Sequence, residues 1–80
     1  MKTRILVTGA LGQIGSELVD ALRARYGDDA VVASDIRMPP RGTEGPFDFV
    51  DCTNQRSLNE AVRRHGIGTI YHLDQGKKKS

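Results

Sequence analysis

Three glycines near the start of the chain are spaced so that the backbone can approach an anionic ligand closely. Gly9, Gly12 and Gly15 follow the apolar run Ile5-Leu6-Val7 and precede an amphipathic segment. A strand-to-helix turn uses one glycine for its unusual dihedral angles, one as bare backbone beside a pyrophosphate, and one where the helix packs closely on the sheet. The helix N-terminus adds unpaired N–H groups and partial positive charge. The spacing is G-x-x-G-x-x-G rather than the commoner G-x-G-x-x-G, but its position between a predicted strand and a predicted helix indicates a dinucleotide pyrophosphate site.

Other predicted site residues lie within this loop and at the end of the next apolar run. The loop itself includes Leu11, Gln13 and Ile14. Asp35 comes twenty residues after the last glycine, where a carboxylate accepts hydrogen bonds from the adenosine ribose hydroxyls. Such a carboxylate repels a 2′-phosphate, so it favours NAD over NADP. A solvated aspartate at a strand end is the alternative interpretation.

Residues after Asp35 and after the third apolar run extend the predicted site toward the adenine. Ile36 and Arg37 follow Asp35, and Arg37 weakens the preference for NAD because a guanidinium can pair with a phosphate. We expect Arg37 to lie along the adenine ring or in solvent. Asp51 and Cys52 face the predicted adenine edge, where a carboxylate can accept from the exocyclic amine. The alternative for Asp51 is a favourable charge at the N-terminus of the following helix, and Cys52 is expected to be a small apolar contact.

Composition limits the class of protein. Eighty residues, 38% of them hydrophobic, make one small domain with a marginal core. No apolar run approaches the roughly 18–20 residues of a membrane helix, and no membrane partner is expected. The single cysteine, Cys52, excludes an internal disulfide and favours a reducing compartment, so we expect a cytoplasmic protein. Two histidines and one cysteine, well separated, predict no metal site.

The basic charge belongs to the end of the chain. Three of the twelve basic residues are Lys77, Lys78 and Lys79. Residues 1–76 contain the other nine and all ten acidic residues, so their net charge is −1. Neither a distributed basic face nor a set of stacking aromatic residues is present, so no nucleic-acid partner is expected. We interpret residues 74–80 as a polar, lysine-rich tail on a domain that spans residues 1–73.

Alternating strand and helix patterns predict an α/β fold. Connections of ten or more residues imply a parallel sheet with right-handed crossovers. The expected architecture is a partial Rossmann fold with strand order 3-2-1-4 and helices on both faces. The open edge of strand 4 then invites self-association. The predicted elements are strands over 4–8, 30–34, 47–50 and 69–73, helices over 12–26 and from Thr53 or Asn54 to His65, and a proline-rich loop over 37–46.

The motifs together resemble the extended short-chain dehydrogenase/reductase superfamily, also called the NAD-dependent epimerase/dehydratase superfamily. The motifs that carry the resemblance are Thr8-Gly9-Ala10-Leu11-Gly12-Gln13-Ile14-Gly15, Asp35-Ile36-Arg37, Asp51-Cys52 and Tyr71-His72-Leu73. The stretches Ser34-Asp35-Ile36-Arg37 and Gly45-Pro46-Phe47 are similar to those of the short-chain type of L-threonine 3-dehydrogenase. The resemblance implies NAD as cofactor and adds Leu73 to the residues that bind it. Beyond Leu73 the family usually continues with small apolar residues, whereas this chain becomes charged.

The resemblance also implies which chemistry the chain lacks. The family oxidises a substrate hydroxyl with a Ser or Thr and a Tyr-x-x-x-Lys pair that lie further along, and no catalytic residue is found within these 80 residues. We therefore expect the amino-terminal part of an NAD-dependent dehydrogenase, with a small-molecule substrate bound only by the full-length parent, and no activity in this chain by itself. The alternatives are the amino-terminal part of a nucleotide-sugar epimerase or dehydratase, and a non-catalytic or engineered dinucleotide-binding module.

Overall fold

Four parallel strands form the sheet that carries the predicted site. The structure is a computed structural model and describes residues 3–73, so the predicted tail over 74–80 lies outside the described residues. A short 3₁₀ turn over Asp28–Ala30 precedes the second strand. The elements are β1 (Arg4–Val7), α1 (Gln13–Tyr26), β2 (Val31–Asp35), β3 (Phe47–Phe49), α2 (Gln55–His65) and β4 (Ile67–Tyr71).

The strand order is β3-β2-β1-β4, and every pairing is parallel. This confirms the predicted α/β architecture and its order. The connection from β1 to β2 and the connection from β3 to β4 run in opposite directions across the sheet. Since such crossovers are right-handed, α1 and α2 lie on opposite faces. The direction in which the chain adds strands to the sheet therefore reverses next to β1. At such a reversal a crevice forms at the carboxyl ends of the strands.

Each face of the sheet buries its own set of side chains. Alternate residues of a strand point to opposite faces, and on one face Val7, Val31 and Ala33 form a buried cluster with Val19 and Leu22 of α1. The intervening residues point to the other face, where two of them, Leu6 and Val32, are also fully buried. Helix α2, which connects β3 to β4, contacts β4 and contributes the buried Ala61.

The spacing of apolar residues in α1 predicts a longer buried face than the structure shows. Of the apolar positions in the predicted helix, Val19 and Leu22 are buried, but Ile14 is 72% exposed and Tyr26 is 53% exposed. These two residues lie in the first and last turns of the helix. The pattern therefore predicts the helix correctly but not the extent of its contact.

The fourth strand differs from its predicted span. β4 runs over Ile67–Tyr71 rather than 69–73. It begins early because Ile67 pairs with Arg4 across an irregularity in the ladder. It ends early because the backbone of Leu73 bonds to the side chain of Thr8 rather than to a neighbouring strand.

The second helix begins and ends at identifiable caps. Of the two predicted capping residues, Asn54 is the one used, because its side-chain oxygen accepts hydrogen bonds from the N–H groups of Arg56 and Ser57. The helix ends at His65, and the N–H of Gly66 donates to the carbonyl of Val62. Over residues 3–73, neither helix has the length and apolar character needed to span a membrane.

Candidate functional site

The glycine turn links β1 to α1 as a tight loop. Gly9 adopts φ +64°, a left-handed conformation that glycine tolerates and branched side chains do not. The Gly12 N–H donates to the Gly9 carbonyl across 3.2 Å, and the N–H of Ala10 donates to the Ser34 carbonyl across 2.9 Å. The turn is thereby closed on itself and fixed to the end of β2.

Gly12 and Gly15 differ in how much room the fold leaves for a side chain. A Cβ on Gly15 would lie 2.1 Å from the Gly9 carbonyl oxygen, so no side chain fits between α1 and the turn. A Cβ on Gly12 would meet the same oxygen at 3.5 Å, which is ordinary contact. The fold therefore demands glycine at position 15, whereas position 12 has room for a methyl group.

The first turn of α1 presents its N–H groups without competition. Gly12 is the N-cap and has no side chain to bond them, and the first turn contains no acidic residue. The early N–H groups of a helix have no partner within the helix and carry its partial positive charge. Gln13 and Ile14 lie in this turn with exposed side chains. This arrangement suits a phosphate or pyrophosphate.

Asp35 is buried at the end of β2 and accepts backbone hydrogen bonds from two elements. Its Oδ2 accepts from the N–H of Leu11 across 3.0 Å, and its Oδ1 accepts from the N–H groups of Ile36 and Arg37 across 2.7 and 3.2 Å. Burial by itself would raise the pKa of this carboxyl, but the hydrogen bonds from the Arg37 side chain and from these N–H groups together lower the pKa below its ordinary value. The carboxylate is therefore ionised and joins β2 to the glycine turn.

The Arg37 side chain is paired with Asp35. It is not free in solvent, which was one of its two expected positions. Its Nε donates to Asp35 Oδ1 and its Nη2 donates to Asp35 Oδ2, each across 3.2 Å. The side chain is half exposed while the Asp35 side chain is fully covered. The arginine therefore closes the outer side of the carboxylate, which its sequence position alone did not reveal.

The residues after β3 are placed by the pairing of β3 with β2. Phe49 is the partner of Asp35 in that ladder, and the N–H of Val50 donates to the Asp35 carbonyl across 3.3 Å. Asp51 is exposed and accepts from the N–H and hydroxyl of Thr53, so its carboxylate stabilises the turn before α2. Cys52 is half-buried. Asp51 therefore lies before the N-terminus of α2, as its alternative interpretation expects, and its contact with an adenine stays a prediction.

Thr8 is a site residue whose role the sequence did not indicate. Its hydroxyl donates to the Leu73 carbonyl across 3.1 Å and accepts from the Leu73 N–H across 2.9 Å, and its own N–H donates to the Tyr71 carbonyl. Thr8 is fully buried. It fixes Leu73 beside the glycine turn, although the two residues are 65 positions apart.

The parallel sheet brings the predicted residues to one edge. The glycine turn, Asp35, Asp51 and Leu73 each follow the carboxyl end of a different strand, and these ends share one side of a parallel sheet. A separate cavity of about 690 Å³ lies between α1 and the loop before β3 and shares only Leu11 with the predicted residues. The candidate site is therefore an open crevice along the sheet edge rather than this cavity.

Comparison with protein families agrees with this geometry. Residues 5–80 match the NAD dependent epimerase/dehydratase family. An uncharacterized epimerase/dehydratase of Staphylococcus epidermidis is 45% identical over 73 residues, which cover 88% of this chain and 23% of that protein. A human protein named inactive L-threonine 3-dehydrogenase, mitochondrial, is 44% identical over 71 residues, which cover 86% of this chain and 31% of that protein.

Solved structures show the same fold at similar identity. A partial consensus L-threonine 3-dehydrogenase superposes with a TM-score of 0.85 at 45% identity, over 89% of this chain and 23% of that chain. The holo form of a GalE-like L-threonine dehydrogenase from Cupriavidus necator gives a TM-score of 0.83 at 41% identity, over the same shares of the two chains. This chain thus spans about a quarter of the length of these relatives. The match over residues 5–80 shows that the chain belongs to the NAD-dependent epimerase/dehydratase family.

Proposed function

We propose that this chain binds the adenosine diphosphate half of NAD in the crevice at the carboxyl edge of its sheet. The first turn of α1 would hold the pyrophosphate, Asp35 the adenosine ribose, and Asp51 and Cys52 the adenine. Leu73 would contact the cofactor beyond the pyrophosphate. When bound, NAD would act as the hydride acceptor, and the described residues would bind and orient it.

The residues present fit this ligand. A pyrophosphate approaches most closely where the backbone carries no Cβ, and Gly12 provides such a position at the N-cap of α1. It needs unpaired N–H groups, and α1 begins without a side-chain cap or an acidic residue. The single observation that carries the proposal is the 3.0 Å hydrogen bond from the Leu11 N–H to Asp35 Oδ2. This bond fixes the carboxylate for the ribose against the loop for the phosphates.

For the parent protein we propose an NAD-dependent dehydrogenase that oxidises L-threonine to 2-amino-3-oxobutanoate. In that reaction the threonine C3 hydrogen leaves as hydride to NAD and the hydroxyl proton leaves to a base, so that NADH and a proton are formed. Support comes from solved threonine dehydrogenases that are 41–45% identical to this chain. No catalytic residue is identified in the part of the chain that the structure describes, so the 80-residue chain is proposed to be inactive by itself.

A second candidate is the amino-terminal part of a nucleotide-sugar epimerase or dehydratase. It is favoured by the relative from Staphylococcus epidermidis, which is named an epimerase/dehydratase and is as similar to this chain as the threonine dehydrogenases are. A third is a dinucleotide-binding module without a reaction. The longer protein separates the three, because it would form NADH with L-threonine, convert a nucleotide sugar, or do neither.

Calorimetric titration of the 80-residue chain with NAD tests the proposed binding. We expect measurable binding by the wild type and none by Gly12→Val, because the valine fills the space that the pyrophosphate needs. Gly12→Ala is the matched control for the fold, and circular dichroism should be unchanged in both variants. A folded wild type that binds no NAD, or a Gly12→Val variant with unchanged affinity, would contradict the proposal. NADH formation from L-threonine by this chain would contradict its proposed lack of activity.

A further inference from the structure

The structure assigns Arg37 as an internal competitor of the adenosine ribose and as a residue that determines cofactor specificity. The inference rests on the proposed NAD site and concerns the state of that site before a ligand arrives. In the unliganded chain the guanidinium of Arg37 occupies the face of the Asp35 carboxylate that the ribose hydroxyls need. NAD must therefore displace Arg37 in order to bind.

The hydrogen bonds of Asp35 leave no place for a further donor. An ionised carboxylate has about four lone-pair sites. Three backbone N–H groups already bond to Asp35, from Leu11, Ile36 and Arg37 itself. The Arg37 side chain adds two more donors, so that five donors share these sites, and the Asp35 side chain is fully buried beneath it. A hydroxyl can reach the carboxylate only when the guanidinium leaves.

The guanidinium bonds the carboxylate as a vicinal diol would. Its Nε and Nη2 reach one carboxylate oxygen each, both at 3.2 Å, and two neighbouring ribose hydroxyls make the same pair of contacts. The backbone bonds belong to the fold and remain when the side chain moves. The Arg37 end of the pair is half exposed, whereas the Asp35 side chain is buried. The guanidinium can therefore move into solvent, and a ligand that brings two hydroxyls can take over its hydrogen bonds to the carboxylate.

Arg37 also offsets the charge that distinguishes NAD from NADP. An isolated Asp35 carboxylate repels a 2′-phosphate, whereas a paired one repels it less, and the displaced guanidinium can pair with that phosphate. Arg37 therefore weakens NAD binding by competition and strengthens NADP binding by attraction. Removing it should change the two affinities in opposite directions.

Titration of three variants with NAD and NADP separates the two effects. In Arg37→Met we expect the Kd for NAD to fall at least threefold and the Kd for NADP to rise at least threefold. Arg37→Lys keeps the charge but loses the two-pronged geometry, so its Kd for NAD should fall while its Kd for NADP stays within twofold of wild type. Arg41→Met changes the net charge equally at an exposed position in the same loop, and both of its dissociation constants should stay within twofold.

A probe without the 2′-hydroxyl identifies the competition itself. The gain of Arg37→Met should be present with ADP and absent with 2′-deoxy-ADP, because only ADP carries the complete diol. Equal changes for NAD and NADP, or an unchanged NAD affinity in Arg37→Met, would overturn the inference while Gly12→Val still reports on the proposed site. A folded wild type and a folded Arg37→Met variant that both fail to bind NAD, NADP and ADP would overturn the proposed function and the inference with it.

Discussion

The guanidinium of Arg23 lies directly over Gly45. A Cβ on Gly45 would be 2.5 Å from the central guanidinium carbon, and Gly45 itself adopts φ +88°. The arginine donates from Nη1 to the Glu44 carbonyl, and from Nη2 to the carbonyls of Val31 and Pro46. One side chain of α1 thus joins the start of β2 to the loop that leads into β3.

The Val31 carbonyl explains why this arginine is needed. The N–H of Ala33 donates to the Pro46 carbonyl, so the backbone N–H and C=O of Ala33 point toward β3. The backbone N–H and C=O of Val31, two residues earlier in the same strand, point to the same side. β3 begins only opposite Ala33. Val31 is fully buried, and no residue of β3 lies opposite its carbonyl. Removing Arg23 would therefore take away a hydrogen bond that no strand could supply, and the loss of a buried hydrogen bond is costly.

Replacing Arg23 should therefore destabilise the fold. We expect Arg23→Met to reduce the free energy of unfolding by at least about 2 kcal/mol, since hydrogen bonds to charged groups contribute about 1.5–3 kcal/mol. Urea unfolding followed by circular dichroism measures the change. Arg63→Met, at an exposed position in α2, is the matched control and should stay within about 0.5 kcal/mol of wild type. Equal stability of the two variants would show that Arg23 does not fix the loop.

The glycines of the turn should separate folding from binding. In Gly15→Ala the new methyl group would lie 2.1 Å from the Gly9 carbonyl oxygen, so the backbone must move, and we expect a loss of about 3 kcal/mol or more in unfolding free energy. Gly12→Ala, whose methyl group makes ordinary contact, should lose less than about 1 kcal/mol. Urea unfolding of the two variants measures the difference. A stable Gly15→Ala variant would contradict the close approach of α1 to the turn.

The buried carboxylate of Asp35 should make stability depend on pH in the acid range. Its pKa is lowered in the folded chain, so the ionised form contributes stability that is complete above the ordinary value of about 3.9 and is lost as the pH falls through the lower folded value. We expect the difference in urea midpoint between wild type and Asp35→Asn to shrink as the pH is lowered from 5 toward 3. Since the other carboxyls titrate in both proteins, a constant or growing difference would contradict this.

The outer edge of β4 should promote self-association of the 80-residue chain. Among the described residues β4 pairs with β1 alone, and Ile70 and Tyr71 are each 39% exposed. A strand with an unpaired edge and exposed apolar side chains is a template for another strand. Sedimentation velocity should show larger species as the concentration of wild-type chain rises, and fewer with Ile70→Lys. Identical monomeric sedimentation of both proteins at all concentrations would contradict the prediction.

The order of elements and the placement of the candidate residues at strand ends could be predicted from the sequence because both depend on local patterns. The glycine spacing between an apolar run and an amphipathic segment predicts the β1–turn–α1 unit, the crossover lengths predict a parallel sheet, and the doubly wound pattern supplies the order 3-2-1-4. Asp35 lies at a strand end, as its position at the end of the second apolar run predicts. These features follow from periodicity and backbone sterics, which act over a few residues.

Tertiary structure decided which side chains satisfy which backbone groups. The hydroxyl of Thr8 holds Leu73, 65 residues away, and the guanidinium of Arg23 bonds carbonyls on two other segments. Arg37 closes the Asp35 carboxylate, although it was expected along the adenine ring or in solvent. No periodic pattern encodes such contacts, because long polar side chains reach donors and acceptors that become neighbours only when the sheet assembles. The sequence by itself therefore determined which elements form and which residues stand at the strand ends, and the assembled fold determined which polar groups meet there.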